Sequence, residues 1–80
     1  MRNDVNYKVL SCLTPKPTPE EAVRILVGLE YKTVTALSRK ILTSHTSINR
    51  VLDGENLPNV RREILSALEM TIDPWRVSSP

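Results

Sequence analysis

Apolar residues recur every three or four positions in several stretches of this chain, the spacing expected for one face of an α-helix. The clearest stretch begins at Thr18-Pro19-Glu20-Glu21. A Thr three residues before a Glu predicts a capping box, and proline suits the first helical position. We therefore predict a helix over about residues 18–30, with these apolar residues on one face: Ala22, Ile25, Leu26 and Leu29.

Two shorter helices are predicted next, at roughly residues 33–42 and 44–53, with a very short connection between them. Thr33 and Ser44 each precede an apolar periodic stretch, as N-cap residues do. Gly54 is placed to end the second helix, because glycine accepts the left-handed backbone of a helix C-terminus. The apolar residues expected to form a small core between the two helices are Leu37, Ile41, Ile48 and Val51.

One more amphipathic helix is predicted over about residues 59–70, with Asn59 as its cap directly after Pro58. Its apolar face consists of Val60, Ile64, Leu65 and Leu68. The following Asp73-Pro74 is a helix-start signal, but too few residues remain for more than a turn. Trp75 in that tail is expected to cover the edge of the core or to form a dimer contact.

The first thirteen residues are ambiguous. Val5, Val9, Leu10 and Leu13 fit a helical stripe that Asn3 or Asp4 could cap, whereas alternation from Val5 to Ser11 fits a strand; we favour the helix. Three prolines in residues 14–19 then disfavour any regular element. The chain therefore reads as an all-α protein of four to five short helices, divided into an N-terminal segment with a Pro-rich linker (1–17), a helical domain (18–72) and a tail (73–80).

Composition limits the class of protein. Eighty residues form one small domain, and without phenylalanine its core must be aliphatic and marginal, so dimerisation would stabilise it. The single cysteine, Cys12, excludes an intramolecular disulfide and is expected to be a buried or half-buried small hydrophobic residue. One histidine and one cysteine do not suggest a metal site, and we predict no cofactor. No membrane span or signal peptide is apparent, so we expect a cytoplasmic protein.

The positive charge is concentrated in the middle of the chain. Residues 32–62 carry six basic and two acidic residues, whereas the segments on either side are neutral or acidic. A basic centre suits a polyanionic partner, although a solvated helix surface explains the charge equally well.

The run "LSRKILTSHTSINRVLDG", residues 37–54, points to a particular family. Two helices joined by so short a connection and sharing a small core meet the requirement of a helix-turn-helix unit. The run resembles, without a gap, the helix-turn-helix of the phage Cro/repressor (lambda-repressor-like) family and of lac-repressor-type headpieces. "INRVLDG" is its closest part, and with the neighbouring helices the resemblance covers roughly residues 18–72.

Four positions depart from the family pattern, and one of them, Ser38 in place of alanine, is harmless. Leu42 stands where the family has a turn glycine, so either Leu42 accepts a left-handed backbone at a cost of about 1 kcal/mol or the turn has another shape. Thr43 replaces an apolar residue, and Val34 replaces a glutamine that contacts a phosphate.

The resemblance implies a small repressor that reads the major groove of double-stranded DNA with the helix at about 44–53, as a homodimer on a palindromic site. It places Ser44, His45, Thr46 and Arg50 on base-facing positions and Asn49 toward the DNA backbone. The other backbone candidates are Thr33, Thr43, Lys32, Arg39, Lys40, Arg61 and Arg62. The dimer surface is expected in residues 4–13 or 70–77.

Two other function classes are considered. A protein-interaction module, such as an antitoxin or adaptor with the same fold, is favoured slightly by the net charge of only +2. An enzyme is disfavoured because the sequence has no paired catalytic carboxylates, Cys-His pair or Gly-rich phosphate loop, and no small-molecule substrate is evident.

Overall fold

The computed structural model describes residues 2–77, and in that range every regular element is a helix. The all-α prediction is therefore confirmed. Six helices are present in this range, because the first segment is helical and the Asp73-Pro74 signal produces a single helical turn. Their bounds are α1 (Arg2–Ser11), α2 (Pro19–Glu30), α3 (Val34–Ile41), α4 (His45–Leu52), α5 (Pro58–Ala67) and α6 (Pro74–Val77).

Side-chain caps set the starts of α2, α3 and α4 as the sequence predicts. The Thr18 hydroxyl accepts from the Glu21 N–H at 3.1 Å, and the Glu21 carboxylate returns a bond to the Thr18 N–H, which completes the capping box. Thr33 accepts from the Ala36 N–H at 3.1 Å. Ser44 accepts from the Ser47 N–H at 3.3 Å.

The predicted cap of α5 is wrong. The helix begins at Pro58, so Asn59 is already its second residue, and the N-cap position is occupied by Leu57 without a side-chain hydrogen bond. Proline starts the helix because its fixed φ suits the first position, where its missing N–H would have had no helical partner.

Three of the helices end in the same way. A left-handed residue is followed by a backbone N–H that reaches back five residues to a carbonyl oxygen: Thr43 to Ser38 at 3.2 Å, Glu55 to Arg50 at 2.9 Å and Met70 to Leu65 at 3.0 Å. The left-handed residues are Leu42 (φ 56°), Gly54 (φ 105°) and Glu69 (φ 57°). Of the two alternatives for Leu42, the structure therefore has the strained left-handed conformation.

The core lies where α2, α3, α4 and α5 meet. Its fully buried aliphatic side chains are Val23, Leu26, Leu37, Ile48, Val51, Ile64 and Leu68. Trp75 is half-buried and packs against this core, as expected for a residue that covers its edge. Of the predicted apolar faces, that of α2 is shifted: Val23 and Val27 are buried, whereas Ile25 and Leu29 are exposed.

The first helix packs on α2, and of its predicted apolar stripe Leu10 is half-buried and packs against the core. Val5, Val9 and Leu13 are exposed, and the buried side is formed by Asn3, Asp4 and Tyr7. The proposed capping role of Asn3 or Asp4 is wrong, because both lie inside the helix. Instead, the Asn3 amide donates to the Leu68 carbonyl at 2.6 Å, and the Asp4 carboxylate accepts from the backbone N–H groups of Thr71 and Ile72 and from the Thr71 hydroxyl.

Cys12 also departs from its expected environment. It follows the last residue of α1 and is exposed rather than buried or half-buried.

None of the helices within residues 2–77 has both the length and the apolar character needed to cross a bilayer. In the same range, no group of three or more His, Cys, Asp or Glu side chains is placed to hold a metal ion.

Candidate nucleic-acid interface

The candidate interface is built on the pair α3 and α4, which pack against each other and are joined by residues 42–44. The buried side of the pair is apolar: Leu37, Ile48 and Val51 have no solvent exposure, and Ile41 is half-buried. These buried side chains attach both helices to the core, and the exposed sides of α3 and α4 carry polar residues.

The connection between the two helices is tied to α5. Thr43 donates its hydroxyl to the Glu63 carboxylate at 2.5 Å. Thr43 stands where the resemblance leads one to expect an apolar residue, and this bond gives its hydroxyl a partner on the neighbouring helix. A sequence pattern cannot reveal the pair, because the two residues lie twenty positions apart.

All four predicted base-facing residues are exposed at the start of α4 or along it. Ser44 uses its hydroxyl as the N-cap. The His45 ring places Nε2 3.0 Å from the Thr35 hydroxyl, so a residue of α3 orients the imidazole. Thr46 has no side-chain hydrogen bond to any residue that the structure describes, so its hydroxyl and methyl group are available to a ligand.

The fourth base-facing residue, Arg50, is held at the other end of the helix. Its Nε donates to the Glu55 carboxylate at 2.5 Å, and both side chains are about half exposed. Sequence reasoning missed Glu55, because side-chain pairs within a helix are separated by three or four residues. Here the chain reverses after Gly54, and this turn brings a residue five positions away back to Arg50.

The predicted backbone-contacting residues lie in or next to α3, α4 and α5. Lys32 and Thr33 precede α3, Arg39 and Lys40 lie in its last turn, and all four are exposed. Asn49 is exposed on α4, beside the base-facing residues.

Arg61 and Arg62, the remaining candidates, lie in α5 and differ from each other. Arg62 is exposed, whereas Arg61 is half-buried, with its guanidinium carbon 4.9 Å from the centre of the Trp75 ring. Arg61 also donates to the Glu55 carbonyl at 3.2 Å. The structure therefore places Arg61 as a link between the end of α4, α5 and the tail.

The structure therefore exposes all four predicted base-facing residues at the surface of α4, and it exposes Arg39 and Lys40 in the last turn of α3, where Lys40 adjoins Glu63 of α5. Comparisons of this chain with protein-family models, with curated proteins and with solved structures find no match. The functional assignment must therefore come from the geometry and chemistry of this surface.

Proposed function

We propose that this protein is a sequence-specific, double-stranded DNA-binding transcriptional regulator of the small Cro/repressor type, acting in a bacterial or phage-infected cytoplasm. The observation that carries the proposal is the division of α4 into two sides. Ile48 and Val51 have no exposure, while His45, Thr46 and Arg50 are exposed on the same short helix. An α-helix fits the major groove, where hydrogen-bonding side chains can distinguish all four base pairs.

Each exposed side chain has a chemical role in this proposal. Arg50 is suited to guanine O6 and N7, which accept two parallel hydrogen bonds from a guanidinium. His45 and Thr46 can donate or accept at neighbouring base edges. The cations next to α3, Lys32, Arg39 and Lys40, provide phosphate contacts that fix the orientation of the helix without reading sequence.

A homodimer is part of the proposal, because one short helix contacts only a few base pairs and each mismatch costs about 1–3 kcal/mol. Of the two expected dimer surfaces, residues 70–77 are partly used by the fold itself, because Met70 and Pro74 are buried. The first helix instead exposes Val5 (63%) and Val9 (60%). We therefore assign the dimer contact to α1.

The proposal is tested by selecting binding sites from random duplexes and then measuring affinity for a selected site and for a scrambled duplex over a range of salt concentrations. A DNA binder of this kind loses affinity steeply as salt rises, because phosphate contacts release counterions. Arg50→Ala should reduce affinity for the selected site by about 10-fold or more and affinity for the scrambled duplex much less.

Arg39→Ala is the matched comparison, since Arg39 is an exposed arginine assigned to the backbone. It should lower the affinity for both duplexes about equally and reduce the number of counterions released on binding by about one. Equal losses for both duplexes in Arg50→Ala would show that Arg50 does not read bases. Absence of a selected site together with salt-insensitive binding would refute DNA as the ligand.

A protein-interaction module is the second candidate, and one structural observation favours it. Beyond the α1 residues, Ile25 and Leu29 of α2 are exposed as well, so both of these packed helices carry exposed apolar side chains. A partner protein on that surface would bind with little salt dependence, which separates this candidate from DNA binding in the same titration.

A further inference from the structure

A cavity of about 410 Å³ lies between the start of α5 and the tail. Its charged and polar lining is formed by Asn56, Arg61, Arg62, Asp73, Trp75 and Arg76. The volume falls within the range of small-molecule sites, about 300–1,000 Å³. Three of these residues, Asp73, Trp75 and Arg76, belong to the tail outside the helix-turn-helix region.

The lining is strongly cationic. Three guanidinium groups face one carboxylate, and that carboxylate, on Asp73, lies 3.6 Å from Arg76 Nε. The pocket therefore keeps two positive charges beyond its internal ion pair. In a partly enclosed space such charges attract an anion more strongly than the same charges on an open surface.

Two of the arginines differ in their freedom. Arg61 is fixed by the Trp75 ring and by the Glu55 carbonyl, so its charge is held in place before any ligand arrives. Arg62 makes no hydrogen bond or ion pair with residues 2–77 and is exposed. A fixed charge beside an exposed arginine with no other partner in this range suits a ligand that enters from solvent.

We propose that this cavity binds a phosphate group, with Arg62 and Arg76 as its direct ligands and Arg61 supplying a fixed positive charge. Guanidinium groups match phosphate oxygens through paired, charge-assisted hydrogen bonds. A cavity of this volume has room for more than a bare phosphate, so the favoured ligand is a small phosphate monoester. A phosphodiester of bound DNA offers the same chemistry from a second source, and the experiment separates the two.

The chain contains one tryptophan, Trp75, and it lines the cavity, so its fluorescence reports occupancy directly. The full-length protein is titrated with inorganic phosphate and with phenyl phosphate at constant ionic strength, using sodium chloride as the reference salt. We expect a saturable change in fluorescence, with tighter binding of phenyl phosphate than of inorganic phosphate.

Arg62→Ala and Arg76→Ala should each weaken phenyl phosphate binding about tenfold, the effect of losing a charge-assisted bond. Lys16→Ala is the control for the loss of one positive charge and should leave the titration unchanged, because Lys16 is exposed and does not line the cavity. Circular dichroism confirms folding, and since Arg62 has no partner in the described range, Arg62→Ala remains informative if Arg76→Ala is destabilised.

A parallel titration with a short DNA duplex identifies the source of the phosphate. A Trp75 response to the monoesters supports a small ligand. A response to the duplex alone, lost in Arg62→Ala, supports a phosphodiester in the same cavity. No saturable response to either probe, or a response that survives both arginine substitutions, overturns the proposal.

This inference does not rest on the proposed DNA function. A failure of base reading is seen in the duplex discrimination of Arg50→Ala, and a failure of phosphate binding is seen in the phenyl phosphate titration of Arg62→Ala, so the two are measured separately.

Discussion

Arg50 and Glu55 form an ion pair of 2.5 Å across the C-terminal end of α4, so the arginine proposed to read bases is already bound to a carboxylate. The bond uses Arg50 Nε, and the terminal guanidinium nitrogens make no hydrogen bond to residues that the structure describes. Glu55 thus has two opposing effects on a DNA ligand. It orients Arg50, and it brings a negative charge close to the polyanion.

Glu55→Gln removes the charge and keeps a side chain of similar size. We expect affinity for any duplex to rise by up to about fivefold, since exposed ion pairs are worth about 1 kcal/mol or less. Discrimination between the selected and the scrambled duplex should fall, because Arg50 is less firmly oriented. Competition titrations at fixed salt measure both quantities. Glu69 is an exposed glutamate after α5, so Glu69→Gln controls for the loss of one negative charge. Weaker binding of Glu55→Gln to both duplexes would show instead that Glu55 contacts DNA directly.

Leu42→Gly tests the strain in the connection between α3 and α4. Leu42 has φ 56° and is 92% exposed, so glycine relieves the left-handed backbone without removing a packed side chain. We expect the free energy of unfolding to rise by about 1 kcal/mol. Urea denaturation measures this as a higher midpoint with an unchanged slope.

Leu29→Gly is the matched comparison for Leu42→Gly. Leu29 is also an exposed leucine, at 69%, but it lies inside the right-handed helix α2. Glycine there should lower the stability by about 1 kcal/mol. If both substitutions destabilised the protein equally, the left-handed conformation of Leu42 would not be a source of strain.

Local rules predicted much of this fold. The caps at Thr18, Thr33 and Ser44 follow from the chemistry of a few consecutive residues, whereas the left-handed option at Leu42 was implied by the family resemblance. The base-facing residues could also be placed on an exposed surface, because the periodicity of Ile48 and Val51 fixes which side of α4 is buried.

Contacts between distant segments account for what sequence reasoning missed. Asp4 resembles a helix cap by its position near the start of the chain, but the structure uses it to hold the backbone at Thr71, sixty-seven residues away. The apolar stripe of α1 could not be recognised as exposed, because helical spacing alone does not show whether a partner covers it. The cavity was missed for the same reason, since Arg62 and Arg76 meet only through the packing of the tail on α5.

Asp4→Asn tests how the segment after α5, at Thr71 and Ile72, is attached to α1. The hydrogen bond from the Thr71 hydroxyl is the main cause that lowers the pKa of Asp4 below its ordinary value of 3.8, against an opposing effect of burial. A carboxylate with a lowered pKa stabilises the fold fully above its ordinary pKa, and this contribution is lost as the pH falls through the pKa of the folded state. We expect Asp4→Asn to be less stable than the natural chain at pH 7, and the difference to shrink below about pH 4.

Thermal denaturation from pH 7 to pH 3 measures that difference directly. Asp53→Asn serves as the control, because Asp53 is an exposed carboxylate whose ion pair with Arg24 is on the surface and should contribute little. If the stability difference for Asp4→Asn stayed constant across this pH range, the charge of Asp4 would not be what stabilises its contact with Thr71 and Ile72.

Val9→Lys tests whether α1 forms the dimer contact. Val9 is 60% exposed and lies away from the core, so lysine should leave the fold of the monomer intact while placing charge in the proposed interface. We expect sedimentation equilibrium to show a shift from dimer to monomer, with affinity for a palindromic site reduced at least tenfold and affinity for a half-site unchanged. Leu42→Asn removes another exposed apolar side chain, outside α1, and should not affect association. Two outcomes would rule out α1 as the dimer contact. One is a natural chain that stays monomeric at high concentration and on the palindrome, and the other is a Val9→Lys variant that still dimerises.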